Sequence, residues 1–292
     1  MLNTKSVKEI INHLKSKDLS IKEVIQFYFD NIDKFNPITN SIVSMKDKNE
    51  IFNEAEKKKD SELCGLPIAI KDLSDVVGFP TTYGYSGAKN NKPNKNSFFV
   101  DKLLKAGVTV IGKTNTAELG VGGQTINRLF GPTSNAFDYS KCAAGSSGGA
   151  STAVALGMLP FADGTDQMGS CRGPAAFANI YGFRPTTGLI ASDRSYQHPK
   201  IPVLTTPGCF AKTPDDMSLL LDLIVGSNKS DPLSFDISDK FENTTLSDKE
   251  FSEIKIVVLN NLISSYDFEK GIVEMFEDCL LYTSDAADDV IS

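Results

Sequence analysis

The chain has only two histidines, His13 and His198, and that shortage narrows its chemistry more than any other count. A histidine-rich metal site is excluded, and no H-E-x-x-H spacing occurs. Any nucleophilic mechanism must use His198 or dispense with histidine. Cysteine is scarce too: Cys64, Cys142, Cys171, Cys209 and Cys279 are odd in number, widely spaced and without a C-x-x-C pair. A disulfide framework and a thiolate zinc site both fall away, and the thiols read as free and buried in a reducing cytoplasm. No apolar run reaches eighteen residues, and the first 17 residues alternate lysine, glutamate and apolar side chains. Neither a signal peptide nor a membrane span is therefore expected. Positive charge is short as well. Thirty Lys and Arg stand against 37 Asp and Glu, a net charge of −7, which leaves no basic surplus for nucleic acid or anionic lipid.

What is present is the balance of a globular protein, with 292 residues of which 40% are hydrophobic and 23% charged. That length allows one large α/β domain or two smaller ones. Ser6-Val7-Lys8-Glu9 and Ser20-Ile21-Lys22-Glu23 are S-x-x-E capping boxes. Behind them Ile10, Ile11, Leu14 and then Val24, Phe27, Tyr28, Ile32 recur at helical spacing, with Asn36-Pro37 as the expected stop. Residues 50–62 are charged and helix-permissive. Residues 66–70 read as a buried strand that delivers Lys71 and Asp72 at its end. A helix over 98–105, closed by Ala106-Gly107, leads into a β-branched strand over 108–111, which is an α/β pattern. A helix is expected over 150–156, a strand over 255–259 and the start of a helix over 268–276. Between 131 and 184 the chain is dense in small residues, and close backbone approach of that kind marks the place to look for a site.

Three motifs carry chemistry. Residues 107–114 satisfy G-x-x-x-x-G-K-[ST] letter for letter, but the four middle residues are Val108, Thr109, Val110 and Ile111, which favour extended strand over a phosphate-cradling loop. Gly145-Ser146-Ser147-Gly148-Gly149 matches the G-x-S-x-G elbow, a reading that needs His198 as base with Asp215 or Asp166 to orient it. The same loop could instead be an anion-binding helix N-terminus. The third signal is a constellation of Lys71 at the end of a buried strand, Ser146 in the Gly-Ser loop, and Ser170 in residues 166–175. Singly, Lys71 could be a surface lysine and either serine a helix cap, and Arg172 reads as the partner of a buried carboxylate such as Asp166.

Taken in order, these segments resemble the amidase signature family. Residues 112–118, the turn at 131–135 and the segment 182–186 match its motifs as well. The resemblance implies an α/β fold with a mixed central β-sheet flanked by helices. It implies an amidohydrolase acting on a carboxamide or related C–N bond of a small-molecule substrate, without cofactor or metal. Ser170 would be the acyl-forming nucleophile, Ser146 the relay after a cis Gly145-Ser146 peptide, and Lys71 the base. The backbone N–H groups of Gln167, Met168 and Gly169 would form the oxyanion hole. A lysine accepts a proton only when neutral, so burial must lower its pKa from about 10.4. Asp72 would oppose this, but consecutive strand residues point to opposite faces. Met168 and Ala144 depart from the family pattern, each standing where glycine is usual, and Met168 would narrow the leaving-group side of the pocket.

Two alternatives remain. One is a glutamine-hydrolysing amidotransferase component of the A type, which residues 117–128 do not resemble. The other is an inactive binding remnant. The family continues through a C-terminal half, so residues 1–279 read as the N-terminal portion of a single domain, apparently truncated. Residues 280–292 resemble a translation of adaptor DNA more than any family segment, with a native ending as the alternative. Partners beyond the substrate are not expected on a membrane or nucleic acid, and a homo-oligomer is allowed.

Overall fold

The computed structural model of the chain describes residue 2 and residues 5–192, 205–243, 247 and 266–284. His198 and the strand expected over 255–259 lie outside them. The chain divides into two units, Met1–Glu242 and Asn243–Ser292. All strands described below belong to the first.

Both capping boxes form. The Ser6 hydroxyl accepts the Glu9 N–H and the Glu9 carboxylate accepts the Ser6 N–H, and Ser20 and Glu23 repeat the exchange. They start α1 (Val7–Lys15) and α2 (Ile21–Thr39), whose buried faces carry Ile10 and Ile11, then Val24, Tyr28, Phe29 and Ile32. The expected stop at Asn36-Pro37 is corrected, because α2 runs through Pro37 to Thr39. Proline is tolerated in this last turn because Asn36 organises the exit. Its C=O accepts the Asn40 N–H, and its side chain accepts the N–H groups of Ser41 and Ile42. Asn40, in the left-handed region at φ 52°, then turns the chain away.

Two three-stranded sheets follow. In the first, β1 (Ile42–Met45) pairs antiparallel and β2 (Pro67–Lys71) pairs parallel with the central β3 (Thr109–Thr114). In the second, β4 (Phe161–Asp166) and β5 (Tyr181–Phe183) both pair antiparallel with the central β6 (Thr206–Ala211). The β2 strand lies alongside β4, stitched by the Lys71 N–H donating to Oδ1 of Asp163 at 2.8 Å. The helices α3 (Lys48–Lys57), α4 (Phe98–Ala106), α5 (Gly148–Ala155), α6 (Arg172–Ala178) and α7 (Pro214–Ile224) flank these sheets in a mixed α/β arrangement. Gly107, at φ 95°, closes α4 and admits the turn into β3.

The helix α5 explains much of the small-residue density. It touches strands of both sheets, and its residues up to Val154 are buried. A Cβ on Gly149 would stand 2.5 Å from the Asn115 backbone N and 2.6 Å from the Ser41 carbonyl oxygen, so only glycine fits. In the second unit, α8 (Ile272–Ser284) begins four residues after the expected start at Phe268. No helix among the described residues is long and apolar enough to cross a membrane.

Candidate active site

Every residue of β2 is buried, so the strand delivers Lys71 into the interior with its amine shut off from solvent. The amine meets three hydroxyls: Oγ of Ser146 at 2.8 Å, Oγ of Ser147 at 2.6 Å and Oγ1 of Thr165 at 2.8 Å. No carboxylate of the described residues lies within ion-pair distance of it. Burial lowers the Lys71 pKa to about 8, against the weaker pull of nearby Asp163 and Asp166. A neutral amine can donate two hydrogen bonds and accept one, and three hydroxyls around it suit either protonation state.

Asp72 does point to the other side. Its carboxylate accepts from the N–H and hydroxyl of Thr82 and pairs with Nζ of Lys113 at 3.3 Å. Lys113 is the lysine of the phosphate-loop lookalike. It sits in a fully buried strand and donates to the Ser74 carbonyl at 2.8 Å, which confirms that this segment is strand and not loop.

Ser146 follows a cis Gly145-Ser146 peptide bond. The loop is wedged against another backbone segment: a Cβ on Gly145 would come within 3.0 Å of the N, C and O atoms of Gln124. The Ser146 carbonyl accepts the Ala117 N–H, and the Gly148 N–H donates to the Thr125 hydroxyl. Ser147 is also fully buried, with its hydroxyl held by Lys71. Neither carboxylate named for an elbow reading serves it. Asp215 is exposed in the first turn of α7, and Asp166 is committed elsewhere.

Ser170 lies in the turn between β4 and α6 and is half-buried. Its hydroxyl donates to no described residue, so the structure brings Lys71 and Ser146 together and leaves Ser170 outside that hydrogen-bonded cluster. The turn itself is organised by Asp166. Its carboxylate accepts the backbone N–H groups of Gly169, Cys171 and Arg172 and a two-pronged contact from the Arg172 guanidinium at 3.0 Å on each oxygen. Burial would raise this carboxyl, but the Arg172 side chain and the three N–H groups outweigh it and hold it well below the usual carboxylate range. The expected Arg172 to Asp166 pairing is therefore present.

Of the three N–H groups expected to face an oxyanion, that of Gly169 is already donated to Asp166 at 2.8 Å, which leaves those of Gln167 and Met168. Gly169 has φ 113°, a conformation that calls for glycine. Met168 is 89% exposed, so the bulk expected to narrow the pocket stands in solvent. Next to Ser170, burial pushes the Cys171 thiol up to about 12, so it stays neutral.

Sequence reasoning misses Thr165, Ser147 and Asp163 as neighbours of Lys71. Thr165 stands one residue before Asp166 in the same motif, and that adjacency is the available signal.

Comparison with known proteins identifies the family. The family described as Amidase matches residues 23–283. An acylamidase of Rhodococcus erythropolis is 37% identical over 79% of this chain and 50% of its own length. The A subunit of the glutamyl-tRNA(Gln) amidotransferase of Saccharolobus solfataricus is 30% identical over 90% of the chain and 54% of its own length. Among solved structures, a bacterial aryl acylamidase of the amidase signature family superposes with a TM-score of 0.76 at 32% identity, covering 82% of this chain and 51% of that one. The A subunit of the Thermotoga maritima glutamyl-tRNA(Gln) amidotransferase does so with 0.82 at 26% identity, covering 98% and 60%. The chain thus spans about half the length of the curated relatives it matches. With the family match extending over most of its length, the chain belongs to the amidase family.

Proposed function

We propose that this chain carries the acylation machinery of an amidohydrolase that cleaves a carboxamide or related C–N bond of a small molecule. The observation that carries this reading is the fully buried Lys71 amine, lowered to about 8 and 2.8 Å from the Ser146 hydroxyl. Neutral Lys71 takes the Ser146 proton while Ser146 takes that of Ser170, whose oxygen attacks the substrate carbonyl. The oxyanion collects on the N–H groups of Gln167 and Met168. The C–N bond then breaks as the proton returns through Ser146 to the leaving amine, and water hydrolyses the acyl-Ser170 ester by the reverse relay. The scheme uses no cofactor.

Reaction with a fluorophosphonate probe followed by peptide mapping tests it. An adduct on Ser170 that disappears in Ser170→Ala and in Lys71→Ala is the expected result. An adduct on Ser147 would replace the scheme with the elbow reading, and no adduct would leave the chain as a binding remnant.

A second reading rests on the 98% coverage by the Thermotoga maritima protein. On that reading the chain releases ammonia from glutamine for a partner, and glutaminase activity appearing only with such a partner would favour it.

A further inference from the structure

A cavity of about 320 Å³ opens beside the Lys71 cluster. Thr165, whose hydroxyl contacts the Lys71 amine, forms part of its lining. Another lining residue, Thr205, bonds to the side chain of Gln167, so the cavity also adjoins the turn that carries Ser170. Its walls mix the apolar and aromatic side chains of Tyr83, Phe98, Phe99 and Leu119 with hydroxyl residues such as Ser74 and Thr165, and its only charged described lining residue is Asp75.

One carboxylate oxygen of Asp75 is unsatisfied. Ser97 uses both backbone groups of Asp75: its hydroxyl accepts the Asp75 N–H and its own N–H donates to the Asp75 carbonyl, each at 2.9 Å. The side chain is left over. Its Oδ1 is buried without a hydrogen-bond partner. An anionic oxygen with no donor costs free energy, and rotation of this half-buried side chain would bring it to a donor in the cavity. The first turn of α4, from Phe98, faces the same cavity and favours the anion through the helix dipole without donating to it. The buried lysine whose field reaches Asp75 is Lys113, and its charge is already taken by Asp72 at 3.3 Å.

We propose that this cavity is a subsite for a cationic group of the substrate, with Asp75 as the counter-ion and the aromatic walls holding the stem that joins the cation to the amide. The inference rests on the amidase reading and narrows it to amides that carry an ammonium or similar cation on an apolar stem. An ammonium there would pair with the Asp75 carboxylate and face the rings of Tyr83, Phe98 and Phe99, an arrangement that rewards positive charge twice.

The test needs no turnover. Benzylammonium and the near-isosteric, neutral benzyl alcohol are titrated calorimetrically into the chain at neutral pH. The ammonium is expected to bind at least about tenfold more tightly, as one charge-assisted hydrogen bond would give. Asp75→Asn should abolish the difference, and Asp75→Glu should retain part of it. A wild-type preference below about threefold, or one that persists in a folded Asp75→Asn protein, overturns the proposal. If Asp75→Asn does not fold, the wild-type comparison decides alone. Failure here with a fluorophosphonate adduct still on Ser170 removes the cation subsite and keeps the amidase reading, whereas absence of the adduct removes that reading.

Discussion

Nζ of Lys113 lies 3.3 Å from the carboxylate of Asp72, with both side chains buried, and this pair leaves Lys71 next door without a counter-ion. Adjacent residues of one strand thus have opposite electrostatic fates. Asp72 faces Lys113 and Thr82, while Lys71 faces only hydroxyls.

Lys113→Met should strand the buried Asp72 carboxylate and cost about 3–5 kcal/mol of stability. Adding Asp72→Asn removes the orphaned charge while keeping an acceptor for the Thr82 N–H, so the double variant should recover much of the loss. Urea denaturation of the two variants checks this, and equal destabilisation would show that the pair is not the cause.

The rate of fluorophosphonate labelling at Ser170 should rise with pH through an apparent pKa near 8, because only the neutral Lys71 amine accepts a proton. Lys71→Ala should lower that rate by roughly 10²- to 10⁴-fold. The same shift has a stability consequence of defined sign. The folded chain releases the Lys71 proton near 8 and the unfolded chain near 10.4, so the unfolded state binds more protons in that interval. This residue's contribution to stability therefore improves as pH rises from about 8 to about 10.4.

Asp163 anchors the Lys71 backbone through one carboxylate oxygen, while the other is buried without a partner. Burial raises its pKa to about 6. Around it are Lys71 from β2, Lys113 from β3, Asp166 from its own strand, Cys171 at the start of α6 and Cys209 from β6. Asp163→Asn keeps the anchoring oxygen and removes the charge that favours protonated Lys71. The labelling midpoint should therefore move to lower pH, and a midpoint that stays in place would limit Asp163 to the backbone contact. For stability the sign is the reverse of the usual carboxylate case. The contribution is present below the unfolded value near 3.9 and is lost as pH rises through 6.

Gly149→Ala should destabilise by about 1–3 kcal/mol, since its Cβ would press on the Asn115 and Ser41 backbones, which cannot move aside cheaply. Gly173→Ala, also helical but with nothing within 4 Å of the added carbon, should be neutral or mildly stabilising. Thermal melts of the two variants provide the comparison.

Elements with a local cause were legible in the residues. Ser6 and Ser20 start helices because their boxes satisfy orphan N–H groups within four residues, and 66–70 and 108–111 become β2 and β3 because β-branched and apolar runs need burial. The strands β4 and β6 were not legible. Asp163, Gly164 and Asp166 in one and Pro207 with Gly208 in the other argue against a buried strand in any local reading. In β4 one oxygen of Asp163 is held by the Lys71 backbone and the Asp166 carboxylate by the Arg172 side chain and the turn at 169–172, partners that a window of neighbouring residues does not show as such.

The order of motifs around Lys71, Ser146 and Ser170 was enough to identify the family and to nominate those three residues, because each sits in a short segment whose pattern is local. Tertiary structure alone decided what each can do. Burial from β2, β3, α5 and β4 together lowers the Lys71 amine, and contacts across 75 to 94 residues of chain surround it with Ser146, Ser147 and Thr165. Desolvation and long-range hydrogen bonding depend on which segments meet in space, and no stretch of sequence carries that information by itself.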